Sequence, residues 1–187
     1  MLLEKFFIKP EEALLVIIDV QEKLSRAMEE EILEKVVNNC LHLIQLAKLY
    51  RIPIILTEQY PKGLGPTLEE IRAELPVYEP VEKLSFSVMG EEAFVQRLEG
   101  VNKKKVILTG METHVCVWQS CLDLLHRGYH VFIPRDAVCS RKKEDYKAGL
   151  SLMAAAGGVV TSTEALLFQM LERADTEEFK VIQKRLK

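Results

Sequence analysis

Short apolar runs that alternate with helix-patterned stretches constrain this chain more than any other feature. "ALLVII" (13–18) is continuous and unpatterned, as expected of a strand buried on both faces. "IPIILT" (52–57), "KVILT" (105–109) and "HVFIP" (130–134) repeat the type, with "VYEPVEK" (77–83) and "GGVVT" (157–161) as weaker members. Between the first two runs, over 30–50, Val36, Val37, Cys40, Leu41, Ile44 and Ala47 recur at spacings of three and four, the stripe of an amphipathic helix. Helices are also predicted over 91–98, 114–127, 142–156 and 163–173, with a charged one closing the chain. "EQYPKGLGPT" reads as a proline- and glycine-rich loop. This alternation predicts an α/β fold: a six-stranded parallel sheet covered by helices on both faces, a three-layer α-β-α sandwich.

No repeat, low-complexity tract or linker divides the chain, so its 187 residues are read as one domain, 1–187. Hydrophobic residues make up 48%, too many for a disordered chain. The 25 basic and 28 acidic residues leave a net charge of −3 and no basic block, so no nucleic-acid partner is expected. Every apolar run falls far short of the roughly 18 residues of a membrane helix, so no membrane partner is expected. The opening "MLLEKFFIKPEE" is broken by Glu4 and Lys5 and is followed by no small-residue cleavage site, unlike a signal peptide. Cys40, Cys116, Cys121 and Cys139 form no C-x-x-C pair. They read as free thiols in a reducing compartment, which makes the cytoplasm the expected location.

In open parallel sheets, ligands bind beyond the carboxyl ends of the strands, where strand order reverses. That rule selects Asp19 and Gln21 after the first run, and Glu58, Gln59 and Tyr60 after the second. Lys83 follows the third, Glu112, Thr113, His114 and Cys116 the fourth, and Asp136 the fifth. Cys116 has three readings: core filler, metal ligand or nucleophile. With Thr113 as N-cap, Cys116 falls in the first turn of a helix, where amide dipoles favour a thiolate and free N–H groups can hold an oxyanion. A small inert buried thiol fits the position equally well. Asp19 is costly at the end of an apolar strand unless paired or used, and a cap or a salt bridge would also explain it. Lys83 alone reads as a solvated surface charge. His114 lies two residues from Cys116 and so does not face it on a helix, which also scatters His114, Cys116 and Cys121 as zinc ligands. Cys40 and Cys121 sit on apolar helix faces and read as core; Cys139, in "DAVCSR", reads as a structural loop residue. "KGLGPT" lacks the P-loop pattern.

Taken together, "VIIDVQEKL", "TEQYPKGLG", "EKLSFS" and "LTGMETHVCV" resemble the isochorismatase-like cysteine hydrolases. The resemblance spans roughly residues 12–173 and leans toward the isochorismatase-domain-containing hydrolases of unassigned substrate. It implies a parallel sheet of order 3-2-1-4-5-6 and a catalytic triad of Asp19, Lys83 and Cys116. It also implies a cis peptide bond between Met111 and Glu112, and an oxyanion hole made by the backbone N–H groups of Glu112 and Cys116. Homo-oligomers are common in the family. The nicotinamidases of this superfamily bind metal through an Asp and two His after the second strand, and "TEQYPKGLGPT" has no histidine. No metal and no cofactor are therefore expected. True isochorismatases do without the nucleophilic cysteine, which is present here.

The mechanism so implied is hydrolysis of a small-molecule C–N substrate through a thioester-type intermediate. Gln21, Gln59 and Phe86 are candidates for shaping the pocket, with Phe86 expected in the core. Two rivals stand beside it. A redox or peroxide-reactive thiol protein needs a low-pKa cysteine but no base. An interaction protein would retain the site without using it.

Overall fold

The computed structural model describes residues 3–186. Its first strand, β1 (Ala13–Ile18), coincides with "ALLVII", and all six of its residues are buried. Alternate side chains explain why the run is unpatterned. Leu15 and Ile17 enter one core, Leu14, Val16 and Ile18 the other, so both faces are covered. Burying a side chain of this size contributes roughly 1.5–3 kcal/mol.

After β1 come α1 (Glu22–Ser25), α2 (Glu30–Tyr50), β2 (Ile54–Gln59), α3 (Pro61–Leu64), α4 (Glu69–Glu74) and β3 (Val81–Lys83). The chain continues through α5 (Glu92–Val101), β4 (Lys105–Met111), α6 (Trp118–His126), β5 (His130–Pro134) and β6 (Val138–Cys139). It ends with α7 (Lys143–Ala155), β7 (Val159–Thr161), α8 (Thr163–Leu171) and α9 (Glu177–Arg185). The sheet is parallel, with strands in the order β3-β2-β1-β4-β5-β7, and β6 pairs with β4 beside this path. Helices α2, α4, α8 and α9 cover one face; α5, α6 and α7 cover the other.

The six long-path strands have the expected order, and the seventh, β6, is an addition of two residues. Cys139 lies in it, fully buried, rather than in a loop. Two strands start later than their apolar runs, at Ile54 and Val81, because Pro53 and Pro80 have no N–H for the ladder. Strand β4 runs past "KVILT" through Gly110. Gly110 has φ 107°, and a Cβ there would lie 2.0 Å from the Ile18 carbonyl oxygen. Only glycine lets β1 and β4 close together at this point, one residue before Asp19.

Candidate active site

Strand register assembles the site. Ile18 pairs with Thr57 on one side and Gly110 on the other, while Gln59 pairs with Lys83. The residue after Ile18, Asp19, leaves the strand in the left-handed conformation (φ 53°), which Asp tolerates better than most residues. Its N–H donates to the Thr57 carbonyl at 3.2 Å, so the turn stays anchored to β2.

Asp19 and Lys83 form an ion pair sealed from solvent. Lys83 Nζ stands 2.7 Å from Asp19 Oδ2, and both side chains are 0% exposed. Thr57 Oγ1 donates to Asp19 Oδ1 at 2.8 Å. Apart from the facing ammonium, Oδ2 receives no aligned hydrogen bond, which leaves it able to accept a proton. Lys83 Nζ also donates to Gln59 Oε1 at 2.5 Å and to the carbonyls of Ser85 and Phe86, each at 3.2 Å. Burial pushes the Asp19 carboxyl above its ordinary range, against the opposing Lys83 charge and the nearby polar groups of Lys83, Thr57 and Cys116.

The charges of Asp19 and Lys83 both act on the Cys116 thiol, in opposite directions. It does not sit in the first turn of a Thr113-capped α-helix. Thr113–Val117 form a π-helical turn, and α6 starts only at Trp118. The Thr113 hydroxyl caps nothing; it is buried without a hydrogen-bond partner. Helix α7 presses on this turn at Gly149, where a Cβ would lie 2.9 Å from the Thr113 carbonyl oxygen. The expected stabilisation of a thiolate is corrected as well. Burial, reinforced by the Asp19 charge, pushes the thiol up to about 12 despite Lys83. Desolvation disfavours the charged form, so the resting group is a thiol.

Elsewhere in the turn, Val115 and Val117 both donate their N–H groups to the Glu112 carbonyl, at 3.1 and 3.2 Å. The Met111–Glu112 peptide bond is cis. The Glu112 carboxylate turns toward Arg141, accepting from its backbone N–H at 3.0 Å and from its Nε at 3.1 Å. His114 Nδ1 lies 3.0 Å from Ser140 Oγ, and Nε2 lies 3.9 Å from Asp145 Oδ2.

The three pocket candidates separate. Gln21 is fully buried and braces two loops: Nε2 donates to the Gln59 and Gly65 carbonyls at 3.0 and 2.7 Å, and Oε1 accepts from the Gln59 N–H at 2.8 Å. Gln59 holds Lys83 and, through Nε2, the Leu84 carbonyl at 2.9 Å. Phe86 is not core: it is 54% exposed, because its carbonyl turns in to Lys83. Asp136 is remote in role, since its Oδ1 accepts from the Thr163 N–H and hydroxyl at the start of α8. Reading the sequence missed Thr57, although a buried threonine among the apolar residues of "IPIILT" was a visible signal. Among the described residues, no group of three or more His, Cys, Asp or Glu side chains is placed to hold a metal ion.

The chain was compared with known proteins. Isochorismatase domain-containing protein 2A of Mus musculus is 36% identical over 181 residues, covering 96% of this chain and 85% of its own length. The solved MAR1 ribonuclease of Caenorhabditis elegans is 35% identical, with a TM-score of 0.88 over 96% of this chain and 92% of its own. The YcaC gene product of Escherichia coli, described as an octameric hydrolase of unknown specificity, shares the fold at 24% identity. Its TM-score is 0.88, over 96% of this chain and 90% of its own. The family model for the isochorismatase domain matches residues 13–165, a span that runs from the first residue of β1 past the end of β7. On that match, and on relatives this similar over nearly the whole length, the chain belongs to the isochorismatase domain family.

Proposed function

We propose that this protein is a cysteine hydrolase that cleaves a small amide-like C–N bond through a thioester-type intermediate on Cys116. Family membership supports a hydrolase role. The observation that carries the finer reading is the meeting of a thiol with a solvent-free Asp19–Lys83 pair. Asp19, its carboxyl held above the usual range, takes the thiol proton as sulfur attacks the substrate carbon. The oxyanion is assigned to the N–H groups of Glu112 and Cys116, as the family resemblance implies. Protonated Asp19 gives its proton to the departing ammonia or amine. It then takes a proton from the water that opens the thioester and passes it to the departing Cys116 sulfur, returning the enzyme to its starting state. Lys83, fixed by Gln59, holds Asp19 in place and balances its charge. No cofactor enters the cycle. The octameric E. coli neighbour supports a homo-oligomeric assembly for this chain.

The redox alternative needs a thiolate at rest, and the thiol pushed up to about 12 opposes it. The non-catalytic alternative leaves a buried ion pair without a use, where apolar residues of similar volume would often be as stable or more so. Ammonia release from a panel of small amides, ureides and carbamoyl compounds tests the reading. Release by the wild type and none by Cys116→Ser is expected; undiminished release by Cys116→Ser would discard the mechanism.

Thiol labelling provides a second check. Cys116 is 6% exposed, whereas Cys40, Cys121 and Cys139 are at 0%. Burial pushes all four up to about 12, so access and the neighbouring base decide the order of reaction. Brief, limiting iodoacetamide should label Cys116 first and slowly, as read by peptide mass mapping. Earlier labelling of any other cysteine in the native protein would contradict the assignment.

A further inference from the structure

A cleft of about 400 Å³ opens between the start of α2 and the segment joining β5 to α7, and none of Asp19, Lys83 or Cys116 lines it. Its volume lies in the range of small-ligand sites. Four cationic side chains, Lys35, Arg135, Arg141 and Lys143, line it against two carboxylates, Glu29 and Asp136, and Lys35 is also paired with Glu31 at 2.8 Å. Asp136 is partly taken, its Oδ1 accepting from Thr163 at 2.7 and 2.8 Å. Both helices that begin at the cleft lack a side-chain cap: α2 follows Glu29 and α7 follows Lys142. Their first amides therefore add donors to the cationic side chains. Ile32, Val36 and Val138 give the same cleft an apolar wall.

We propose that this cleft binds a small organic anion, with a phosphate or carboxylate head on the arginines and lysines and a compact apolar body against Ile32, Val36 and Val138. Guanidinium forks match both kinds of head group. Arg141 makes the site consequential. It lines the cleft and also holds the Glu112 carboxylate through its N–H and Nε. An anion that draws Arg141 into the cleft loosens its hold on the Glu112 side chain, which belongs to the same residue as the N–H assigned to the oxyanion. This coupling rests on the proposed role of the Glu112 N–H; binding in the cleft does not.

Calorimetric titration with phenyl phosphate tests the binding, with inorganic phosphate and phenol as the separated halves of the probe. Phenyl phosphate is expected to bind once per chain, and either half at least about tenfold more weakly. The double variant Lys35→Gln, Arg135→Gln changes only exposed side chains and should weaken phenyl phosphate by at least about tenfold, with Cys116→Ser binding as wild type does. Absence of binding, equal affinity for inorganic phosphate, or indifference to the double variant would overturn the site. Loss of binding in Cys116→Ser would move the anion to the catalytic centre. Dissociation of an oligomer by the double variant in sedimentation would assign the cleft to a second copy of the chain. The coupling is read separately from hydrolysis. Phenyl phosphate should change the rate of Cys116 alkylation in the wild type and not in Arg141→Gln, and an unchanged wild-type rate would overturn the coupling.

Discussion

Asp19→Asn is expected to lower kcat by about 10²–10⁴-fold, the usual loss when a positioned base is removed. An amide cannot take the thiol proton, and the Cys116 thiol, pushed up to about 12, does not ionise unaided at neutral pH. The fold should persist, for two local reasons. Thr57 can rotate its hydroxyl to accept from the new NH₂, leaving the amide oxygen to face Lys83. Lys83 keeps Gln59 Oε1 and the Ser85 and Phe86 carbonyls as acceptors. The pH profile carries the same information. Because the Asp19 carboxyl is raised, wild-type kcat/KM should fall on acidification at a pH above the ordinary aspartate value of 3.8. Turnover and a thermal melt of the variant are the measurements. Full activity in a folded Asp19→Asn protein would make Asp19 structural.

Lys83→Met should cost roughly 3–5 kcal/mol of stability, the penalty for removing one partner of a buried ion pair. Both side chains are sealed from water, so solvent screening offers no discount. The loss should grow with pH. Burial already holds the Asp19 carboxyl above its unfolded value, and Lys83 is the largest opposing influence; without it the carboxyl rises further. A carboxyl raised in the folded state binds its proton more tightly there than in the unfolded chain. Its contribution is therefore fully present below the unfolded pKa and is lost as pH rises through the folded one. Denaturant unfolding of wild type and variant at pH 5 and pH 8 measures this. A smaller deficit at pH 8 than at pH 5 would contradict the buried-pair assignment. The variant should also lose activity, since a carboxyl raised further is less often ionised to take the thiol proton.

Much of this architecture is written in local pattern, and the site is less so. β1 is legible residue by residue because both of its faces are covered, so an unbroken apolar run has one interpretation. β6 is not, since two residues carry no periodicity and its pairing with β4 is a tertiary event. Gly110 reads as a breaker of "KVILT", yet the contact with Ile18 that requires it depends on two strands distant in sequence. Lys83 illustrates the limit most clearly. A lone lysine reads as solvated charge, and only register with Gln59 brings it under cover beside Asp19. Its place in the proposed triad rests on the family resemblance rather than on its surroundings. Phe86 failed in the other direction: an aromatic reads as core, but here the backbone carbonyl is what turns inward. The helix start at Thr113 was misplaced because residue types do not separate a capped α-helix from a π-helical turn, whose wider hydrogen bond here runs from the Val117 N–H to the Glu112 carbonyl.

The central claim is that substrate becomes covalently attached to Cys116 and is released by water. Rapid acid quench of the protein during turnover of an ammonia-releasing substrate, followed by peptide mass mapping, tests it most directly. The expected result is an acyl-sized mass gain on the peptide carrying Cys116 alone. It should accumulate in the presence of substrate, disappear as substrate is consumed, and be missing from Cys116→Ser. Substrate hydrolysed at an undiminished rate by Cys116→Ser, or a mass gain that maps to another residue, would contradict covalent catalysis at this thiol.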